Sequence, residues 1–118
     1  PGFGISTAWA YQSLARYPAA LNGEAGRADR LVELLQQSDL RKAGTEFYNS
    51  LEAPALHKYP LLILFQEFFR ENGACATLMS GSGSTTFALA ESLSAGERLL
   101  EGFKSKFGAT HWTAVVPV

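Results

Sequence analysis

The chain has 118 residues, 47% of them hydrophobic and 18% charged, with a formal net charge of −1. That is the size of one domain able to bury very roughly two-thirds of its unfolded surface, and it excludes a disordered chain. Balanced charge leaves no clustered Lys and Arg for nucleic acid and no polybasic patch for a membrane surface, and the longest apolar run, residues 61–65, is far too short to span a bilayer.

Pro1 to Ser6 reads as extended chain or the tail of a strand. Ser6 or Thr7 can cap a short helix that runs to about Arg16 and is stopped by Pro18. Residues 19–26 form a loop with Asn22-Gly23 as its turn. The clearest helical pattern follows: Ala28, Leu31, Val32 and Leu35 share a core face, with Arg27, Arg30, Glu33 and Gln37 turned outward. A short helical turn at residues 40–43 is broken by Gly44. Asn49 and Glu52 have capping-box spacing and start a helix through about His57. Pro60 opens the next helix at its first turn. It carries Leu61, Phe65, Phe68 and Phe69 on one face, widened by Leu62 and Leu64, and ends at Gly73.

Residues 74–79 and 85–90 read as two strands, with Phe87 and Leu89 on one face of the second. Ser94 and Glu97 form a second capping box. Ala95, Leu99, Phe103 and Phe107 are the apolar face of a helix ending at Gly108. Residues 111–116 form a last strand that brings Trp112 into the core. The order predicts an α+β domain: a small antiparallel sheet covered on one face by helices, with an edge strand missing upstream of Pro1. The start at Pro1 without a methionine reads as a fragment or a processed product. An unpaired strand edge is prone to pair with another chain.

Between the two strands lies Met79-Ser80-Gly81-Ser82-Gly83-Ser84-Thr85-Thr86-Phe87. Small side chains let a ligand approach the main chain, and glycines allow successive N–H groups to turn one way around an anion. Gly and Ser are equally the residues of a plain hairpin turn, so both readings stand on the loop alone. The single cysteine, Cys75, cannot form an internal disulfide. Its neighbours Ala74 and Ala76 make it a small buried hydrophobe rather than a reactive thiol, in keeping with a reducing, cytoplasmic setting. His57 and His111 lack the spacing of a metal site.

In the helix–strand frame, residues 74–87 resemble the third conserved motif of the GHMP small-molecule kinases. Pro1-Gly2-Phe3-Gly4-Ile5-Ser6-Thr7-Ala8-Trp9-Ala10-Tyr11, Asn49-Ser50-Leu51-Glu52 with Pro54, and Tyr59-Pro60 are similar in order to the branch acting on 4-diphosphocytidyl-2-C-methyl-D-erythritol in non-mevalonate isoprenoid synthesis. The resemblance implies a ferredoxin-like C-terminal domain over residues 1–118. It also implies an N-terminal domain that holds ATP, Mg2+ and the catalytic residues, none of which this piece carries or binds alone. It puts Gly81, Ser82, Gly83 and Ser84 beside the phosphates, and Thr7 and Tyr11 against the cytidine end of the substrate. Four-residue spacing does place Thr7 and Tyr11 on one helix face, and Tyr11 offers a ring for stacking, although the same ring could be a half-buried packing residue. Asn49 and Glu52 are read as caps. The expected partners are the small-molecule substrate and the N-terminal domain, with a homodimer through an open edge or the bared domain interface as a further route. Alternatives are a GHMP kinase for homoserine, mevalonate or a sugar, or a ferredoxin-like regulatory module without activity.

Overall fold

The computed structural model describes residues 1–21 and 23–118, so the Asn22 half of the expected Asn22-Gly23 turn lies outside the described residues. The elements run α1 (Thr7–Leu14), a short 3-10 turn (Pro18–Ala20), α2 (Arg27–Gln36), α3 (Leu40–Glu46), α4 (Glu52–Lys58), α5 (Leu61–Glu71), β1 (Ala76–Met79), β2 (Thr86–Leu89) and α6 (Leu93–Phe107). β1 and β2 pair antiparallel, Ala76 opposite Leu89 and Met79 opposite Thr86. α5 packs against both strands, and α3 packs against β1. This is the expected α+β architecture, with a small antiparallel sheet and helices laid on it.

Three of the helices, α1, α3 and α6, start where a side chain satisfies a free backbone donor. The Ser6 hydroxyl accepts the Trp9 N–H at 3.3 Å and opens α1, while the Asp39 carboxylate accepts the Lys42 N–H at 3.1 Å and opens α3. That hydrogen bond, first, holds the Asp39 carboxyl below its ordinary range. Its support of α3 is therefore present above the ordinary carboxylate range and fades as pH falls through the lowered folded value. α6 is capped by Ser92, whose hydroxyl accepts the Ala95 N–H at 3.1 Å; the expected cap, Ser94, sits inside the first turn with its hydroxyl 3.1 Å from that of Ser92. β2 ends at Leu89, so the backbone turns helical two residues earlier than the Ser94–Glu97 spacing suggests. Gly108, with φ +84°, closes α6 as expected.

The core is aromatic. Phe65 meets Phe103 and Phe107 edge-on with ring centroids 4.8 and 4.9 Å apart, and Phe69 stacks on Phe103 at 5.5 Å. Leu62, Met79 and Leu99 join them in the buried cluster.

Four expectations are corrected here. Residues 111–116 form no strand among the described residues. They run along the helices: His111 lies edge-on to Phe65 at 5.2 Å, and Val115 packs on Gly96 of α6, where a helix offers no ladder. Trp112 points away from this contact and is 83% exposed, so it does not join the core. α2 buries none of its apolar stripe completely, and Val32 stands 52% exposed. Its main partner is the seven-residue α3, too short to cover the stripe, and α2 is tied down instead by Arg27 and Arg30 to Glu24 and Glu46. Finally, α3 is not broken at Gly44 but runs on to Glu46, because a residue without a side chain is what lets this helix touch the Cys75 carbonyl.

Cys75 is half-buried in that contact. Burial raises its thiol above the ordinary value; the nearby Glu91 charge adds to this and Arg41 opposes it. A raised thiol holds little thiolate near neutrality, so alkylation of native protein by iodoacetamide at pH 8 should run well below the rate of free cysteine and recover in urea. Equal native and urea rates would show an exposed, ordinary thiol. No helix among the described residues is long and apolar enough to cross a membrane.

Candidate functional site

The Gly-Ser stretch is the turn of the β1–β2 hairpin. The Ser80 N–H donates to the Thr85 carbonyl at 2.8 Å, and the Gly83 N–H donates back to the Ser80 carbonyl at 3.0 Å. This closes a tight turn with Gly81 and Ser82 at its tip. Gly81 and Gly83 have φ +55° and +87°, where a side chain is disfavoured. The loop is a hairpin turn, and its tip faces out. Gly81 is exposed and Ser82 half-buried, and among the described residues no backbone hydrogen bond takes up either amide. An anion meeting this tip would find main-chain donors and a hydroxyl.

The four loop residues separate by position. Ser84 is 5% exposed and its hydroxyl donates to the Phe3 carbonyl. Gly83 is half-buried against the core: a Cβ there would stand 2.6 Å from Met79 Sδ and 2.8 Å from Ile5 Cδ1. These two residues anchor the loop from below, and Gly81 and Ser82 present it.

The chain before α1 carries the second part of the site. Ile5 and Phe3 pack under the loop, so α1 begins beside it, and the hydroxyls of Thr7 and Ser82 are 2.9 Å apart across 75 positions of sequence. Tyr11 lies one turn further along α1 and is 62% exposed, which places its ring on the surface rather than in a packing position. Thr7, Tyr11, Gly81 and Ser82 thus form one continuous edge of the molecule. One open hollow of about 310 Å3 lies on another face, bordered by α3, α5 and β1 and lined by Arg41, Thr45, Arg70 and Thr77.

Two further residues were expected only as caps. Leu51, not Asn49, precedes α4, and no side chain caps that helix. The Asn49 amide instead donates to the carbonyls of Met79 and Gly81, both at 2.8 Å, while its oxygen accepts the Leu51 N–H at 3.0 Å. The Glu52 carboxylate accepts the Met79 N–H at 2.6 Å and the Gln66 side-chain amide at 2.6 Å, and Arg70 donates to the Gln66 oxygen at 2.7 Å. The three-residue spacing is real, but the pair serves the base of the glycine loop. A sequence signal was present in the polar Gln66 on the apolar face of α5, since a buried amide needs partners.

Among the described residues no three His, Cys, Asp or Glu side chains gather as metal ligands. What the site offers is orientation, hydroxyls and main-chain donors.

The family model for the GHMP kinases C terminal region matches residues 20–109, a span that includes Asn49, Glu52 and the loop. The chain is 35% identical over 107 residues to the 4-diphosphocytidyl-2-C-methyl-D-erythritol kinase of Thermosynechococcus vestitus, covering 82% of this chain and 34% of that protein. It is 32% identical over 112 residues to the kinase of that name from Trichodesmium erythraeum, covering 86% of this chain and 36% of that one. The corresponding kinase of Clostridium novyi is 29% identical over 121 residues, covering 98% of this chain and 40% of the relative. The chain thus spans about a third of the length of the curated relatives it matches. No solved structure matches it. With its two-stranded sheet, its helices and its glycine hairpin in the matched span, the chain belongs to the GHMP kinases C terminal family.

Proposed function

We propose that this chain is the substrate-side, C-terminal domain of a cytoplasmic kinase that moves the γ-phosphoryl group of ATP to the 2-hydroxyl of 4-diphosphocytidyl-2-C-methyl-D-erythritol. An N-terminal domain supplies ATP binding, Mg2+ and the catalytic groups, and the piece alone is inactive. The observation that carries the reading is the 2.9 Å contact between Thr7 and Ser82, which joins the expected nucleoside-facing residues to the expected phosphate-facing loop. An extended ligand with a base at one end and phosphates near the other needs such an edge. Tyr11 stacks on the cytosine, Thr7 offers it a hydroxyl, and the Gly81 and Ser82 amides meet the phosphates. Gly83 and Ser84 hold that loop in place. The open edge is one wall of a cleft, and the other domain is the second wall. Phosphoryl transfer is largely positioning and charge stabilisation, so a wall with neither base nor metal still contributes to rate.

The test is a substrate panel on the full-length kinase with Tyr11→Ala alongside. Turnover with the cytidyl substrate, absent with homoserine, mevalonate and galactose, is expected. Loss of one stacking contact should weaken binding of that substrate by about 5- to 150-fold, from the roughly 1–3 kcal/mol that base stacking supplies. Turnover of a different acceptor, or unchanged affinity in Tyr11→Ala, would reject the assignment.

A further inference from the structure

Met79 is the last residue of β1, and both of its main-chain polar groups turn away from β2: the N–H goes to Glu52 and the C=O to Asn49. These are the positions that a neighbouring strand would fill on the outer edge of β1. Side chains from the first residue of α4 and from the segment leading into it fill them instead. The Asn49 grip then extends past the strand, because the same amide group also holds the Gly81 carbonyl at the loop tip. One NH2 group spans the strand end and the tip, and fixes the distance between them.

Glu52 is itself held from behind. Gln66 is 1% exposed within the core, and it passes the carboxylate's contact on to Arg70 at the surface. A buried amide with both ends bonded has little freedom to turn, so Glu52 cannot swing away from the Met79 N–H. The loop tip is thereby referenced to α5 and the aromatic core rather than to its own flexible glycines.

We propose that Asn49 and Glu52 are positioning residues: they set the reach and direction of the Gly81 and Ser82 amides toward the ligand, with Gln66 and Arg70 as their support. This rests on the reading of the loop given above. Neither side chain touches the reacting atoms. Their effect is on the rate of the step that the loop serves, since a misplacement of about 1 Å can cost roughly 100-fold.

The experiment uses the full-length kinase with Asn49→Asp, Glu52→Ala, Glu52→Gln and, as a report on the loop itself, Gly81→Ala. Asn49→Asp keeps the acceptor for the Leu51 N–H but sets an oxygen against two carbonyls. It should lower kcat by roughly 30- to 100-fold with KM for the acceptor changed less than threefold. Glu52→Ala should do the same, and Glu52→Gln, which keeps an acceptor oxygen, should recover to within about tenfold of wild type. A residue that merely stabilised the fold would shift the melting midpoint and leave kcat per folded molecule unchanged. Should Asn49→Asp fail to fold, the Glu52→Ala and Glu52→Gln pair makes the same comparison. Wild-type kcat in the folded Asn49 and Glu52 variants, with Gly81→Ala impaired, overturns the positioning role and leaves the loop reading intact. Wild-type kcat in all of them, Gly81→Ala included, removes the loop from the reaction and this proposal with it.

Discussion

Gly83→Val is expected to destabilise the fold by about 2–5 kcal/mol, while Gly81→Ala, two residues away, leaves the fold in place and lowers turnover. Both glycines sit at positive φ, where a side chain costs about 1–2 kcal/mol. They differ in what surrounds them. A Cβ on Gly81 meets nothing within 4 Å, whereas one on Gly83 meets Met79 Sδ at 2.6 Å and Ile5 Cδ1 at 2.8 Å. Met79 and Ile5 are buried, so overpacking adds about 1–3 kcal/mol at Gly83 alone. Against a total of about 5–15 kcal/mol that is a large share, and the thermal midpoint of Gly83→Val should fall by roughly 10 °C or more. The corollary is practical. Gly83 is the wrong position at which to ask about chemistry, because loss of turnover there reports loss of fold. Gly81→Ala asks the question cleanly, and a thermal melt beside a turnover assay separates the two. A Gly83→Val protein that melts with wild type would mean the loop is not wedged between Met79 and Ile5.

The order of helices and the two strands is legible in the sequence because each rests on short-range signals: a hydroxyl or carboxylate before an apolar period, a proline at a first turn, a glycine after a last one. The failures share one cause. Residues 111–116 alternate correctly for an extended segment with one covered side, but alternation does not say whether the covering neighbour is a strand or a helix. Ala28, Leu31, Val32 and Leu35 carry a sound helical stripe, yet the length of the facing helix decides how much of it is buried. Gly44 has the local meaning of a breaker and the tertiary meaning of a contact point, and the contact wins. Asn49 and Glu52 satisfy a capping spacing and are taken by β1 instead, because an unpaired strand edge needs donors and acceptors more than an exposed helix start that water can satisfy. The same holds for the site. Thr7, Tyr11 and the loop can be named from the resemblance, but only the fold brings Thr7 beside Ser82 and separates the presenting Gly81 and Ser82 from the anchoring Gly83 and Ser84.

Gly44→Ala gives a sign that local rules do not predict. In an exposed helix interior the exchange stabilises by about 1 kcal/mol, since alanine has the higher helix propensity. In α3 the added Cβ would stand 2.3 Å from the Cys75 carbonyl oxygen and 3.1 Å from the Ala76 Cβ. The obstacle is main chain at the start of β1, so no rotamer change relieves it, and α3 has to lift off the strand. Overpacking of about 1–3 kcal/mol, occasionally more, then offsets or outweighs the propensity gain, and a net loss of up to about 2 kcal/mol is expected. The damage should also be local. α2 packs chiefly on α3, and the side chains that join this region to the rest include Arg41 on Glu91 at 2.9 Å and, just past α3, Phe47 edge-on to Phe87 at 5.8 Å. Exposed ion pairs of this kind are weak. Amide exchange should therefore quicken across α2 and α3 in Gly44→Ala, while α5 and α6, held by Phe65, Phe68 and Phe103, keep their protection. Because β1 is the strand that α3 leans on, the Met79 amide is the informative boundary. If its protection survives while α2 and α3 open, the glycine loop is held by Asn49 and Glu52 independently of the α2–α3 pair. A Gly44→Ala protein more stable than wild type, with uniform exchange, would mean that α3 does not rest on the strand at all.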